Sequence, residues 1–123
     1  MHDARQPRWV AKILIADDNE LIRRVLTTAL ADAGHDVVAV ESSAAALAAG
    51  DSFDVALVDA FLDSRARTGL PEELRRRDPQ IRIVVMSGLP MHEHYPGADA
   101  VLEKPFTLDE LCETLERALG ARP

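Results

Sequence analysis

Five polar side chains fall where short apolar runs end: Asp17 and Asp18 after ILIA, Asp59 near the end of VALVDA, Ser87 after IRIVVM, and Lys104 after VLE and just before Pro105. Each would be costly to bury alone, but together they can satisfy one another at one site. Three carboxylates held close repel and gain proton affinity unless a cation is present. A hard divalent ion that takes oxygen ligands and keeps several waters relieves this repulsion. Magnesium fits best, and zinc is disfavoured because the set contains neither His nor Cys. Lys104 adds a mobile ammonium suited to a carboxylate or a phosphoryl oxygen, and the Ser87 hydroxyl can donate to the same oxygen. Metal, hydroxyl and ammonium make a cradle for a phosphoryl group, with an Asp side chain at its centre as a possible nucleophile.

The elements that would bring these residues together are legible as alternating periods. The runs at 13–16, 55–60 and 81–86 are short and continuously apolar, as in strands covered on both faces, and shorter strands are expected at 37–40 and 101–103. Between them, Leu21, Ile22, Val25, Leu26, Ala29, Leu30 and Ala33 recur at helical spacing before Gly34. SAAALAAG reads as a two-turn helix, Pro71 opens another that Pro79 ends, and Thr107 with Glu110 forms a capping box. Leu108, Leu111, Cys112, Leu115, Ala118 and Leu119 are expected to form the buried stripe of the last helix, making Cys112 a small hydrophobe. Strand and helix alternating five times implies an α/β doubly wound parallel sheet, with ligands beyond the carboxyl ends of its strands. Twelve positions, 88–99, separate the fourth and fifth strands and are punctuated by Pro90, Pro96 and Gly97, so the fourth helix is expected to be shortened or missing. The domain reading is an N-terminal arm at 1–9, one domain at 10–120 and a tail at 121–123.

At 123 residues and 47% hydrophobic, the chain can bury a core without a disulfide or a structural metal. The formal charge of -7 argues against direct nucleic-acid binding. No apolar run approaches the roughly 20 residues that a membrane helix requires. A lone Cys112 and an opening without a signal-peptide core point to the cytoplasm. The arginines at 65, 67 and 75–77 read as solvated, and His92 and His94 read as loop residues rather than metal ligands.

The motifs ILIADDNELIRRVL, ALVDA, VVMSG and VLEKPFTLDEL resemble those of response regulator receiver domains of two-component signalling, over nearly all of Lys12 to Leu119. The resemblance implies a flavodoxin-like five-stranded sheet of order 2-1-3-4-5. It also implies Asp59 as phosphoacceptor, Ser87 as switch hydroxyl and Lys104 as phosphate-contacting lysine. Asp18 would be a direct magnesium ligand, Asp17 a ligand partly through water, and the backbone carbonyl of Phe61 a further ligand. The implied partners are a histidine kinase or a histidine phosphotransfer protein, with an unknown downstream protein. Self-dephosphorylation is expected to be slow, because Phe61 and Leu89 cannot orient an attacking water.

Three departures stand out. Asp63 occupies the position of the family's usual proline four residues past the phosphoacceptor. Val101 replaces an aromatic residue three before the lysine. The fourth crossover is short, so readout is expected through another face or through ordering of 88–99. The missing aromatic and the short fourth crossover favour a rival reading, a pseudo-receiver that binds partners without phosphotransfer, whereas the complete set of five polar residues disfavours it. A flavin or nucleotide enzyme is disfavoured because the loop ADDNE repels phosphate without a metal. A phosphohydrolase using Asp59 would be distinguished by turnover on phosphate esters. No DNA-binding segment is read after Gly120.

Overall fold

A computed structural model describes residues 10–50, 52–64, 69–88, 95 and 97–120. The apolar runs form five parallel strands: β1 (Lys12–Ala16), β2 (Asp36–Val40), β3 (Val55–Asp59), β4 (Arg82–Ser87) and β5 (Ala100–Glu103). They are ordered β2-β1-β3-β4-β5, as expected for a flavodoxin-like sheet. Four helices are present among the described residues: α1 (Glu20–Asp32), α2 (Ser43–Ala48), α3 (Leu70–Arg77) and α4 (Leu108–Gly120).

The strands alternate at period two between two cores. Ile13, Ile15, Leu57, Val84 and Met86 face Leu26 and Leu30 of α1 and Leu111 and Leu115 of α4. Leu14, Ala16, Val58, Ile83 and Val85 face Ala46 of α2 and Leu70 and Leu74 of α3. Fully burying a side chain of this size contributes about 1.5–3 kcal/mol. Burial on both faces therefore holds the strand ends, and with them the polar residues, in fixed register. Asp59 pairs with Met86 across β3 and β4, and Ser87 with Glu103 across β4 and β5.

Three of the helices start on side-chain caps. The Asn19 side chain accepts the Ile22 N–H at 3.0 Å and caps α1. The Ser42 hydroxyl accepts the Ala45 N–H at 3.0 Å at the start of α2. At the capping box the Thr107 hydroxyl accepts the Glu110 N–H at 3.0 Å, while the Glu110 carboxylate accepts the Thr107 N–H at 2.9 Å.

The expected apolar stripes are narrower in the structure. Leu21, Val25 and Leu108 are more than half exposed and Cys112 is exposed. One sheet face serves both α1 and α4, so each helix buries a single line of contact. On α4 that line runs through Leu111, Leu115, Ala118 and Leu119, and Thr114 shares it. Cys112 is one position, about 100°, around the helix from Leu111.

Between β4 and β5 the described residues contain no helix, and residues 89–94 and 96 of this crossover lie outside them. Tyr95 and Ala98 are buried against the second core. Gly97, at φ +87, lies over the first turn of α3, where a Cβ would come within 3.5 Å of the Glu72 carboxylate. Asp99 then ties the crossover down: its N–H donates to Ile83 O at 2.8 Å, and its carboxylate accepts from Ile83 N–H at 2.8 Å and from Arg75 at 2.6 Å. Residues 1–9, 65–68, 89–94 and 121–123 lie outside the described residues, and with them Arg65, Arg67, Leu89, His92 and His94. The remaining arginines are paired rather than simply solvated. Arg75 bridges to Asp99, Arg76 and Arg77 bridge to Glu73, and Arg77 also donates to Leu47 O at 3.1 Å.

Candidate functional site

β1 delivers Asp17, which is fully buried, and its four polar positions are all occupied. Its N–H donates to Val40 O at 3.1 Å, and its carbonyl accepts from the Arg23 guanidinium at 2.9 Å. One carboxylate oxygen accepts the Asn19 N–H and the other accepts from Lys104 Nζ, both at 2.9 Å. Asp18 follows with an exposed side chain. Because Asn19 takes the capping task, neither aspartate is consumed in starting α1.

Asp59 ends β3 and is buried, with its Oδ1 accepting the Phe61 N–H at 3.2 Å. Lys104 Nζ lies 3.5 Å from the same oxygen, so one ammonium bridges Asp17 and Asp59. Burial pushes the Asp59 carboxyl above the usual carboxylate range. The charges of Asp17 and Asp18 push the same way, against the Phe61 hydrogen bond and Lys104. Ser87 is buried at the end of β4, and its carbonyl accepts the Lys104 N–H at 2.6 Å, which sets the lysine beside the third and fourth strands. Phe61 is 54% exposed.

All five residues expected at the site therefore lie at the carboxyl edge of the sheet, and the side chains of Asp17, Asp18, Asp59 and Lys104 meet there. Asp17, Asp18 and Asp59 each offer a carboxylate oxygen, and these oxygens lie within 4.8 Å of one another. The set fits a divalent cation. It supplies hard oxygen donors from three acids.

Two contacts are beyond the reach of sequence reading. Arg23 reads as a polar position on an amphipathic helix, and nothing in its spacing signals that it reaches back to the Asp17 carbonyl. Asp63, at φ +59, turns its carboxylate to the start of α2 and accepts the Ser43 N–H at 3.2 Å. Its charge is thus engaged by a helix start. Partial burial raises the proton affinity of the Cys112 thiol, and the neighbouring Glu116 and Asp109 raise it further. Among the described residues no helix is long and apolar enough to cross a membrane.

Comparison with known proteins identifies the family. The chain is 34% identical over 118 residues to the DNA-binding transcriptional regulator NtrC of Azospirillum brasilense, covering 90% of this chain and 24% of that protein. It therefore spans about a quarter of the length of the NtrC relatives it matches. It is 30% identical over 117 residues to the response regulator receiver protein CpdR of Brucella abortus, covering 89% of this chain and 98% of that one. The crystal structure of a CheY-like receiver domain protein from Methanospirillum hungatei superposes with a TM-score of 0.81 at 27% identity, covering 91% of this chain and 95% of that one. Residues 13–116 match the response regulator receiver domain, and with the sheet order and the near full-length likeness to CpdR this establishes that the chain belongs to the receiver domain family of two-component response regulators.

Proposed function

We propose that this receiver domain accepts a phosphoryl group on Asp59 from a phosphohistidine of a histidine kinase or histidine phosphotransfer protein, and that the change in Asp59 alters its contacts with a downstream protein. The observation that carries the reading is the placement of Lys104 Nζ, 2.9 Å from Asp17 and 3.5 Å from Asp59, beside three carboxylates whose oxygens lie within 4.8 Å of one another. Receiver domains are signalling switches rather than classical enzymes, and they generally bind Mg2+ at an acidic pocket. Here Asp17, Asp18, Asp59 and the Phe61 carbonyl would hold the ion, which when bound offsets negative charge on the carboxylates and the phosphoryl oxygens.

An Asp59 carboxylate oxygen attacks phosphorus, the bond from phosphorus to the donor imidazole nitrogen breaks, and the imidazole leaves with its electron pair. Lys104, already between two carboxylates, shifts its ammonium toward the new phosphoryl oxygens, and the Ser87 hydroxyl donates to one of them. Leu21 in the first turn of α1 and Leu108 at the start of α4 expose apolar surface at the same edge of the sheet, which supports a protein as the phosphodonor. The net charge of -7 supports protein rather than nucleic-acid contacts for this domain, and a cytoplasmic location is part of the proposal.

The test is the intact mass of the protein after incubation with acetyl phosphate and Mg2+, beside an Asp59→Asn variant and an EDTA control. A metal-dependent gain of one phosphoryl group that is absent in the variant is the expected result. No gain under conditions that modify an ordinary receiver overturns the reading in favour of a pseudo-receiver, and continuous turnover of phosphate esters favours a phosphohydrolase.

A further inference from the structure

Asp17 and Asp18 must aim two adjacent side chains, one buried and one exposed, toward the oxygens of Asp59. Adjacent residues in an extended strand project to opposite sides, so the peptide between them has to turn. Three of the contacts on Asp17, to Val40, Asn19 and Lys104, fix its N–H and its carboxylate. The fourth, from Arg23 to the Asp17 carbonyl at 2.9 Å, acts on the peptide plane that leads into Asp18. The Arg23 backbone is itself held in the first turn of α1, where its N–H donates to Asn19 O at 3.1 Å. A well-anchored helix turn thus presents a planar, permanently charged donor to that one carbonyl.

Resting on the phosphoacceptor reading above, we infer that Arg23 is a positioning residue for the divalent cation: by holding the Asp17–Asp18 peptide it keeps both carboxylates within reach of Asp59. Arg23 touches neither the ion nor the phosphoryl group in this role. Its charge alone would act in the opposite sense and repel a cation, so the sign of the effect separates the two. A charged hydrogen bond to a carbonyl outweighs a repulsion screened by solvent and by three carboxylates.

Calorimetric titration of Mg2+ into the wild-type protein, Arg23→Lys and Arg23→Met tests this without any phosphorylation step. Arg23→Met is expected to raise the Mg2+ dissociation constant about tenfold. Arg23→Lys, which keeps the charge and part of the reach, is expected to recover part of that loss. The thermal midpoint of metal-free Arg23→Met should fall by a few degrees, because the buried Asp17 carbonyl loses its donor, and Arg23→Lys should recover part of that fall. The rate of modification by acetyl phosphate at saturating Mg2+ should stay within about twofold, because only assembly of the site is affected. Equal or tighter Mg2+ binding by Arg23→Met overturns the inference, as does a saturating rate that falls in step with a lowered thermal midpoint. A wild-type protein that takes up no Mg2+ overturns the reading of the site itself.

Discussion

Phe61 shares a two-residue turn with Asp59: its N–H donates to the Asp59 carboxylate while its ring stays exposed at the mouth of the site. Water that hydrolyses an acyl phosphate must approach phosphorus opposite the Asp59 oxygen, and a phenyl ring offers it no hydrogen bond. Phe61→Asn supplies an amide at that place. One neutral hydrogen bond of about 1 kcal/mol, if made only to the attacking water, speeds phosphate loss about fivefold. Decay of the phosphorylated species followed by intact mass should show this, and an unchanged decay rate would mean that the side chain stands clear of the water's path. The polar site residues were legible in the sequence because each terminates an apolar run, and burial on both faces leaves a strand end as the one place where a lone Asp, Ser or Lys is affordable. Asp63 was not legible in this way. The resemblance marks it only as the residue standing where the family has a proline, and its left-handed backbone turns the carboxylate to the Ser43 N–H.

At the scale of elements, caps and stops were legible and exposure was not. The Thr107–Glu110 box is a local device that works within one turn, so its spacing alone reveals it, whereas the choice of Asn19 over Asp18 and of Ser42 over Ser43 as caps is visible only in the structure. Leu21, Val25, Leu108 and Cys112 have the right helical period but lie off the line of contact, which depends on where the sheet sits and is absent from periodicity. The end of α1 shows another long-range tie. Gly34 takes a left-handed turn at φ +99, and the next residue, His35, offers Nδ1 to the Ala11 N–H at 3.1 Å, joining the helix end to the start of β1. Burial lowers the proton affinity of His35 below its ordinary pKa of 6.5. The folded state thus prefers the neutral ring, and only a neutral ring can accept that N–H. The contribution to stability is complete above pH 6.5 and is lost as pH falls below 6.5 and through the folded-state value. Urea midpoints taken between about pH 7.5 and 5.5, a window above the ordinary carboxylates, should fall with acidification. His35→Gln, which keeps an acceptor and does not titrate, should flatten that part of the slope. Working in an Asp59→Asn background removes the opposite contribution of a buried acid.

Across the whole molecule, the short connection between β4 and β5 is held by a clasp far from the carboxyl edge. Asp99 accepts from Ile83 N–H at the start of β4 and from Arg75 of α3, and Gly97 rests on the first turn of α3. The alternation of elements made the parallel sheet and its short crossover legible. The clasp was not, because it joins residues from three elements whose separation in sequence carries no period. Its two bonds differ in weight. Arg75 and Asp99 keep 35% and 29% of their side chains exposed, so the ion pair is worth no more than about 1 kcal/mol. Ile83 is fully buried, and leaving its N–H without a partner costs about 1–3 kcal/mol. The hydrogen bond to β4 should therefore dominate. Asp99→Asn, which keeps an oxygen for Ile83 but loses the charge, is expected to cost under about 1 kcal/mol in urea unfolding, and Asp99→Ala about 1–3 kcal/mol. Arg75→Met should cost about as little as Asp99→Asn, and adding it to Asp99→Ala should cost little more, since only the long bond from Arg75 to Ile81 O at 3.4 Å is left to lose. If Asp99→Asn proves as damaging as Asp99→Ala, the charge pair with α3 rather than the bond to the central sheet is what fixes the crossover, and α3 becomes the element through which this connection is controlled.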